Sequence, residues 1–256
     1  MGKIISVVNQ KGGVGKTTTA VNLAAGIGLS GKKVLIVDAD PQGNTTSGYG
    51  ISKKNNNLTS YQLLIGKGTA ENAAIRTEFK NIDIVPASMD LAAAEVDLIE
   101  MENRESQLKM ALATVREKYD YIFIDCPPSL GLISINALNA SDTVLVPIQC
   151  EYYALEGLSQ LMATVRQVKR LYNPTLEIEG IVLTMYDGRK NVHRQLRDMV
   201  ARYNGAALFT ATIRNCIAVV EAPLAGALLR DYAPKATATQ DYAALTDEIL
   251  QRTAKK

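Results

Sequence analysis

The chain has 256 residues, of which 47% are hydrophobic and 21% charged, and its formal net charge at neutral pH is +2. This length suits one large domain with a sizeable core, and the balanced composition excludes a low-complexity protein. No apolar run approaches the roughly 20 residues of a membrane-spanning helix, and the first residues lead directly into a strand-like run, so we expect a cytoplasmic protein without a signal peptide.

Charge distribution and rare residue types narrow the possibilities further. Residues 1–150 contain 14 Lys and Arg against 15 Asp and Glu, whereas residues 151–256 contain 14 against 11, so a basic surface is expected in the C-terminal part. Cys126, Cys150 and Cys216 are far apart and lack a C-x-x-C pair, which predicts buried apolar side chains rather than a disulfide framework or a zinc site. His193 is the single histidine and lies among arginines, where a catalytic base is not expected.

A glycine-rich segment at residues 11–18 (KGGVGKTT) lies between an apolar run at residues 4–8 and an Ala/Leu-rich segment at residues 19–29. This order predicts a strand, a phosphate-binding loop and a helix, with backbone N–H groups and the helix dipole directed at an anion. Lys16 adds a positive charge and Thr17 offers a hydroxyl to Mg²⁺. An ordinary glycine-rich turn is the alternative. The residues predicted to bind the nucleotide here are Lys11, Gly12, Gly13, Val14, Gly15, Lys16, Thr17 and Thr18.

Lys11 is an additional cation, five residues before Lys16. The common pattern G-x-x-x-x-G-K-[ST] does not fit, because its first glycine would fall at Gln10. A second cation beside phosphates that are already neutralised needs further negative charge, and one solution is a nucleotide held by a second copy of the protein. A solvated loop lysine is the alternative.

Three aspartates follow apolar runs that read as buried strands. Asp38 and Asp40 lie in residues 38–44 (DADPQGN), directly after the run at residues 33–38, and Asp125 ends the run at residues 121–125. The carboxyl ends of parallel strands are where doubly wound sheets place their ligands. We expect Asp38 to touch the metal shell, Asp40 to position a water, and Asp125 to hold Mg²⁺ through water, with the following Pro-Pro-x-x-Gly turn as a γ-phosphate sensor. A polar turn is the alternative for the Asp38 and Asp40 segment.

The remaining elements alternate between strands and helices, which predicts a doubly wound α/β domain spanning residues 1–256, with a mainly parallel twisted sheet and helices on both faces. Residues 53–57 (KKNNN) are predicted to be an exposed loop. Leu108, Leu112 and Val115 mark the inward face of one helix, and Tyr242, Leu245 and Ile249 mark the face by which the closing helix packs on the sheet. The predicted helices after the first are residues 60–65, 88–101, 104–118, 155–172 (with Leu158, Leu161, Val165, Val168 and Tyr172 inward) and 236–253, and the later strands are residues 82–86, 143–148 and 178–185.

Residues 186–203 carry the clearest charge pattern. Val192, Leu196, Met199 and Tyr203 mark one apolar helical face. A second face carries basic residues, which could form a phosphate-contacting surface; a solvated face is the commoner meaning of such a pattern. The basic residues in question are Arg189, Lys190, Arg194 and Arg197.

Together with the LTMYDGR segment at residues 183–189 and the Glu-Ala-Pro triplet at residues 221–223, these motifs closely resemble the ParA/Soj family of DNA-partitioning ATPases, which are P-loop NTPases of the deviant Walker A (MinD-like) group. The resemblance covers essentially the whole chain. It implies that Lys16 contacts the β- and γ-phosphates of ATP, that Thr17 ligates Mg²⁺, and that Asp38 and Asp125 hold the metal's water shell. Asp40 resembles the residue that positions the attacking water, and Lys11 resembles the family's signature lysine, which reaches across an ATP-sandwich homodimer.

The resemblance also implies partners and a location. The family binds non-specific double-stranded DNA as the ATP dimer, and a ParB-type centromere-binding protein stimulates hydrolysis and releases it. We therefore expect a cytoplasmic, nucleoid-associated protein that does not bind membranes. The residues expected to contact the nucleotide base are Met185, Arg214 and Asn215.

One segment departs from the family pattern. Chromosomal relatives commonly have Pro-Arg-Asn-Val-Arg before Glu-Ala-Pro, and alignment on Glu221 puts Asn215 at the first arginine and Ala218 at the second. An expected DNA-contacting arginine is therefore missing. This favours weaker or differently placed DNA binding, as would suit a plasmid or mobile-element version.

Three other functional classes share the predicted nucleotide site. A MinD-type positioning ATPase would need a C-terminal amphipathic membrane helix, but the C-terminal segment has a narrow apolar side. An electron-transfer or metal-cluster carrier would need paired cysteines. A biosynthetic ligase would need a substrate pocket, and none is readable in the sequence.

Overall fold

One eight-stranded sheet organises the part of the chain that the computed structural model describes, which is residues 1–52, 58–151, 154–205 and 207–254. Its strands, in chain order, are β1 Lys3–Val7, β2 Val34–Asp38, β3 Ile75–Arg76, β4 Ile82–Val85, β5 Tyr121–Asp125, β6 Thr143–Gln149, β7 Glu177–Tyr186 and β8 Leu208–Arg214. Across the sheet the order is β3-β4-β2-β5-β1-β6-β7-β8, and neighbouring strands are parallel except for the antiparallel pair β3 and β4.

Helices cover both faces of this sheet. They are α1 Lys16–Leu29, α2 Asn44–Gly48, α3 Ser60–Leu64, α4 Ala70–Ala73, α5 Ala94–Asp97, α6 Gln107–Ala113, α7 Leu132–Ala140, α8 Ala154–Leu171, α9 Asn191–Asn204, α10 Ala218–Leu224, α11 Leu229–Tyr232 and α12 Thr237–Ala254. Within the described ranges, none combines the length and the apolar character needed to cross a membrane. The predicted loop at residues 53–57 lies outside the described residues.

Two apolar layers lie on opposite faces of the sheet. On one face, α1, α10 and α12 contribute Leu23, Ala222 and Leu245 to the core. On the other, α6 and α8 contribute Leu112 and Leu161. The central strands contact both layers, which explains why they are continuous apolar runs rather than alternating ones. The doubly wound architecture predicted from the sequence is therefore confirmed.

The helices predicted around residues 88–118 are shorter than expected. Residues 88–101 form a run of tight turns, with 3₁₀ segments at Met89–Ala93 and Leu98–Glu100 on either side of α5. Beyond α6, the backbone tightens to an i to i+3 bond from the Val115 N–H to the Leu112 carbonyl. Leu108, Leu112 and Val115 are nevertheless buried as predicted. Helical spacing thus predicted the buried face but not the length of each helix.

Two further side-chain predictions met different outcomes. Cys126 and Cys150 are buried free thiols as expected, whereas Cys216 is partly exposed. Tyr172 follows the end of α8 and is 37% exposed, so its inward placement was wrong. Its hydroxyl instead lies 3.4 Å from Glu105 Oε1 at the surface.

The closing helix α12 packs on the sheet through Tyr242, Leu245 and Ile249, as predicted. Its acidic side chains also bind N–H groups of the outer strand β8. The carboxylate of Glu248 accepts hydrogen bonds from the backbone N–H groups of Thr210 and Ala211, at 3.0 and 3.1 Å. Asp241 Oδ2 accepts one from the Arg214 N–H at 2.9 Å. At the opposite edge, β3 has two residues.

Candidate nucleotide-binding site

The predicted phosphate loop and the three predicted aspartates lie at one edge of the sheet. The strands that precede them, β1, β5 and β2, are direct neighbours, and all three run parallel. In the register of these strands, Asp125 pairs with Val7 on one side and with Asp38 on the other. The loop that follows Val7 therefore begins beside Asp125, and Asp38 lies one strand further along the same edge.

The loop between β1 and α1 takes the shape that its glycines allow. Gly13 and Gly15 have φ values of 75° and 87°, which side-chain-bearing residues rarely adopt. A Cβ atom built on Gly12 or Gly13 would meet nothing within 4 Å, so the concave side of the loop is open. Gly15 directly precedes α1, and this arrangement leaves the first N–H groups of the helix available to an anion.

Neighbouring strands hold this loop from outside. Asn9 accepts a hydrogen bond from the Lys11 N–H at 3.0 Å, and its amide donates to the Pro147 carbonyl at 2.7 Å. Thr184, near the end of β7, donates its hydroxyl to the Val14 carbonyl at 2.8 Å. These bonds fix the loop in place before any ligand binds.

Lys16 lies inside the site. It is 6% exposed, and its ammonium group donates to the Lys11 carbonyl at 3.1 Å. Burial lowers the pKa of Lys16, while the nearby carboxylates of Asp125 and Asp40 raise it. The charge of this lysine is thus directed into the loop and lies close to both acids.

Asp38 and Asp125 form a buried acidic pair. The hydroxyl and the N–H of Thr46 donate to Asp38 Oδ2 at 2.6 and 2.8 Å. Thr45 donates its hydroxyl to Asp125 Oδ2 at 2.8 Å. Burial raises the pKa of both carboxyl groups, and the proximity of Asp38 raises the pKa of Asp125 further.

The surroundings of Asp125 fit a bound cation. Its Oδ1 atom is fully buried and has no hydrogen-bond partner among the described residues. Burial raises the pKa of this carboxyl group, and the nearby Thr17 hydroxyl lowers it. An unpartnered carboxylate oxygen beside a threonine hydroxyl is the kind of donor set that Mg²⁺ accepts when phosphate oxygens and water complete its shell.

Asp40 occupies a separate position in the same turn. It is 8% exposed, and its Oδ1 accepts the Gln42 N–H at 2.9 Å, which fixes the direction of the carboxylate. Gly43, with φ of 60°, donates its N–H to the Asp40 carbonyl and closes the turn. Asp38 and Asp40 therefore face different surroundings, as their spacing predicted.

Lys11 is on the outside of the loop, and its ammonium group forms an ion pair with Glu151. The two side chains are 42 and 48% exposed. Because both are largely in water, the pair holds Lys11 weakly.

The residues predicted to contact the base lie on neighbouring strand ends. Met185 has φ of 52° near the end of β7, directly after Thr184. Arg214 ends β8, opposite Tyr186, and its guanidinium binds Asp241 at 2.6 Å. Asn215 follows and is exposed. The sheet thus places Met185 near the phosphate loop, while the side chain of Arg214 is held by α12.

The predicted basic surface is less continuous than its spacing suggested. Arg189 forms two bonds of 3.0 Å with its neighbour Asp187, which lower the pKa of that aspartate. Arg194 hydrogen-bonds Asn191, and Arg197 is half-buried. Lys190 is exposed immediately before α9.

The prediction of which face of α9 is buried was largely wrong. Val192, Met199 and Tyr203 are 57, 37 and 80% exposed. The helix instead buries Leu196 and Val200, one turn apart, because α9 lies against β8 along a line next to the predicted one. His193 accepts the Asp187 N–H at 3.0 Å and so supports the preceding loop.

Several residues that shape the site were not singled out from the sequence. Thr45 and Thr46 directly follow the turn that carries Asp38 and Asp40. Two hydroxyl-bearing residues at this place could have indicated hydrogen-bond donors to the carboxylates. The contacts of Asn9, Glu151 and Thr184 join residues far apart in the sequence, so local patterns carry no signal for them.

Comparison with known proteins identifies the family. A family model described as an AAA domain matches residues 2–178. The chain is 48% identical over 249 residues to the sporulation initiation inhibitor protein Soj of Bacillus subtilis, covering 97% of this chain and 98% of that protein. It is 45% identical over 256 residues to the chromosome partitioning protein ParA of Myxococcus xanthus, covering 100% and 90%. The chain belongs to the Soj/ParA family.

A solved structure has a fold similar to that of this Soj/ParA family member. The crystal structure described as cobyrinic acid a,c-diamide synthase from Mycobacterium smegmatis, with a bound ATP analogue and magnesium, superposes with a TM-score of 0.86 at 34% identity. The match covers 98% of this chain and 95% of the other. The P-loop NTPase fold predicted for the family is thus confirmed.

Proposed function

We propose that this Soj/ParA family member is an ATP-dependent DNA-partitioning ATPase. The observation that carries the proposal is a nearly full-length identity of 48% to Soj, combined with a loop that carries Lys16 beside the acidic residues and Lys11 on its outer side. The solved relative was crystallised with an ATP analogue and magnesium, which supports ATP and Mg²⁺ as the ligands.

Each part of the nucleotide has a counterpart in the site. The N–H groups of the loop and of the first turn of α1 bind the phosphates, and Lys16 exchanges the Lys11 carbonyl for a phosphate oxygen. Thr17, Asp38 and Asp125 hold Mg²⁺, which neutralises phosphate charge when it is bound. Met185, Arg214 and Asn215 border the base.

Asp40 positions the attacking water. Its carboxylate is fixed by the Gln42 N–H and is close enough to Lys16 to influence its pKa. No arginine occurs in residues 9–18, 38–46 or 125–131. Because an arginine supplied by a partner is worth about 10³–10⁵ in rate, hydrolysis by this chain alone is slow and its timing is set by a partner.

Nucleotide binding is linked to DNA binding through dimerisation. In the ATP state Lys11 leaves Glu151 and contacts the nucleotide of a second copy, which joins two basic surfaces into one. Arg189, Lys190, Arg194 and Arg197 contact the phosphates of non-specific double-stranded DNA. A ParB-type protein stimulates hydrolysis and so releases the dimer from the nucleoid in the cytoplasm.

Two other classes have less support. A MinD-type protein would need a free apolar face on its C-terminal helix, whereas α12 buries Tyr242, Leu245 and Ile249 in the core. A biosynthetic amide synthase is the activity for which the Mycobacterium smegmatis structure is described, but that protein is 34% identical, below the 48% identity to Soj.

The experiment that tests the proposal is a mobility shift of non-specific duplex DNA with the Asp40→Ala variant. This variant should bind ATP without hydrolysing it. We expect DNA binding with ATP but not with ADP or without nucleotide, and weaker binding at higher salt. A stable ATP dimer of this variant that ignores DNA would overturn the partitioning function.

A further inference from the structure

An apolar surface lies outside the nucleotide site, on the run of turns at residues 89–100. Met89, Val96 and Ile99 are 63, 68 and 56% exposed, and Ala92 and Ala93 are exposed between them. These five exposed apolar residues alternate along the turns with buried ones, and Val96 and Ile99 line a groove at the surface. We refer to these five residues as the apolar stripe.

The run of turns has a second, buried side. Leu91, Ala94 and Leu98 are fully buried and belong to the core of the sheet. The apolar stripe is therefore additional to what the fold needs for its own packing. An exposed apolar surface of this kind commonly marks an interaction site.

The apolar stripe borders a groove between the turns and α3. Tyr61, Ile65, Val96, Ile99 and Met101 line the groove with apolar surface. The hydroxyl of Tyr61 donates to Asp97 Oδ2 at 2.8 Å and joins the two sides. This contact therefore fixes the two walls of the groove relative to each other.

The border of the groove is acidic. Residues 89–102 contain five acidic residues and no lysine or arginine. Four of the five are exposed, namely Asp90, Asp97, Glu100 and Glu102. Lys67 also lines the groove on the α3 side, and the Arg104 guanidinium donates to the Ile99 carbonyl at 3.0 Å, so the acidic residues outnumber the cations at this border. The combination of an apolar floor and an acidic border matches a segment with an apolar face and flanking cations.

The fifth acid, Glu95, points the other way. Its Oε2 accepts the Leu132 N–H at 2.8 Å and its Oε1 accepts the Ile133 N–H at 3.3 Å. These are the first N–H groups of α7, directly after the Pro-Pro-x-x-Gly turn at residues 127–131. A Cβ atom on Gly131 would lie 2.3 Å from Glu95 Oε1, so the glycine is what admits the carboxylate. The Glu95 carboxylate therefore joins the turns of the apolar stripe to the start of α7, directly after the predicted γ-phosphate sensor, which is called the sensor turn below.

We propose that the apolar stripe and its acidic border are the docking surface for a basic amphipathic segment of a partner protein, and that Glu95 transmits docking to the sensor turn. This inference rests on the proposed function, because a surface joined to a γ-phosphate sensor acts on hydrolysis only where ATP is bound. A second copy of this chain would bring like charges together at this border, and DNA would be repelled by it.

A model peptide tests the docking surface on the full chain. The probe is a fluorescein-labelled peptide of about 18 residues, with leucines at helical spacing and lysines elsewhere. Fluorescence anisotropy should show binding to the wild type, and the double variant Asp97→Lys with Glu100→Lys should weaken it by about tenfold or more. The matched control, Glu117→Lys with Glu156→Lys, changes the net charge equally at exposed sites elsewhere and should retain binding.

The nucleotide dependence of peptide binding tests the role of Glu95. Coupling between two sites is reciprocal, so peptide affinity should differ by about fivefold or more between the ATP-analogue and ADP states. Glu95→Gln keeps one acceptor for the α7 N–H groups and removes the charge, so it should preserve binding but shrink this difference. Glu95→Ala should shrink it further, and thermal unfolding shows whether that variant is folded.

Three results would overturn the inference. They are equal loss of binding in the two charge-reversal variants, the same peptide affinity in both nucleotide states of the wild type, and nucleotide-independent self-association that Val96→Asp abolishes. DNA binding with ATP is measured on the same proteins. A wild type that binds the peptide but not DNA would refute the proposed function while leaving the docking surface intact.

Discussion

Asp125 shows how a single buried carboxyl makes the stability of the molecule depend on pH. Burial raises its pKa from the ordinary 3.8 to about 7, so the folded state holds the proton more tightly than the unfolded state does. The free energy of unfolding of the metal-free protein should therefore fall as pH rises through this interval. The stabilising contribution of the protonated group is complete at the acidic end and lost above the folded-state pKa.

Asp125→Asn removes this titration while keeping an acceptor for Thr45. In the presence of a chelator, the variant should gain more thermal stability over the wild type at about pH 8 than at about pH 5. Thermal unfolding monitored by circular dichroism measures the difference. Asp231→Asn, at an exposed site, serves as the control. An equal difference at both pH values would contradict the effect of burial.

Alanine variants of Lys16 and Lys11 should distinguish nucleotide binding from dimerisation. A ligand present at about 100 times its Kd stabilises the folded state by about 2.7 kcal/mol, which appears as a rise in Tm. Lys16→Ala should lose this rise, because the buried ammonium group is the cation directed into the loop. Lys11→Ala should keep most of it but fail to form the ATP dimer. Light scattering that detects an ATP-dependent dimer of Lys16→Ala would contradict the site assignment.

At the scale of residues, the motifs predicted the charged side chains of the site. They did not predict the residues that hold these side chains and the loop in position. Lys16, Asp40 and Asp125 follow identifiable strand ends, so sheet geometry alone brings them together. The bonds from Thr45 to Asp125 and from Thr184 to Val14 span 80 and 170 positions, and no local spacing reports such contacts.

At the scale of elements, α9 shows the limit of periodicity. Two neighbouring sets of apolar residues in its sequence could form the buried face. Contact with β8 buries the set that contains Leu196 and Val200. The exposed set includes Tyr203, which the sequence placed inside. Which of two similar faces is buried depends on the neighbouring element, and the helix sequence alone does not contain that information.

The loop before α9 leads to a prediction about DNA affinity. Asp187 already occupies the guanidinium of Arg189, so Asp187→Asn should free this cation and raise the affinity of the ATP dimer for DNA severalfold. Arg189→Ala with Arg194→Ala should lower the affinity and reduce the slope of log K against log salt by about 0.9 for each lost phosphate contact. Mobility shifts at several salt concentrations measure both.

The control for these variants is dimerisation. ATP-driven dimers should persist in all of them, because the substitutions lie outside the phosphate loop. An unchanged salt dependence in the double arginine variant would show that DNA binds elsewhere.

At the scale of the whole molecule, the fold class was predictable because every level of the sequence agrees on it. Apolar runs, turn motifs and helical spacing alternate from residue 4 to residue 253, and the central strands contact two apolar layers. The run at residues 88–101 was the exception, since its helical spacing is satisfied by three short turns instead of one helix.

Substitution of Glu248 tests how much the contact between α12 and β8 contributes to stability. Glu248→Ala would leave the N–H groups of Thr210 and Ala211 without their acceptor and would remove the ion pair of 2.8 Å with Arg252. We expect a loss of about 1–3 kcal/mol in the free energy of unfolding. Urea unfolding measures it, and Glu156→Ala at an exposed site of α8 should be neutral. A neutral Glu248→Ala variant would show that solvent replaces these bonds.

The two ends of the sheet also bear on how the protein behaves when many copies are crowded together. An unpaired strand edge is a template onto which another chain can add, which is how amyloid-like aggregation begins. Here one end is a strand of two residues, and at the other the carboxylates of α12 occupy N–H groups that an incoming strand would use. Both ends of the sheet are therefore poor templates for the addition of a strand from another copy of the chain.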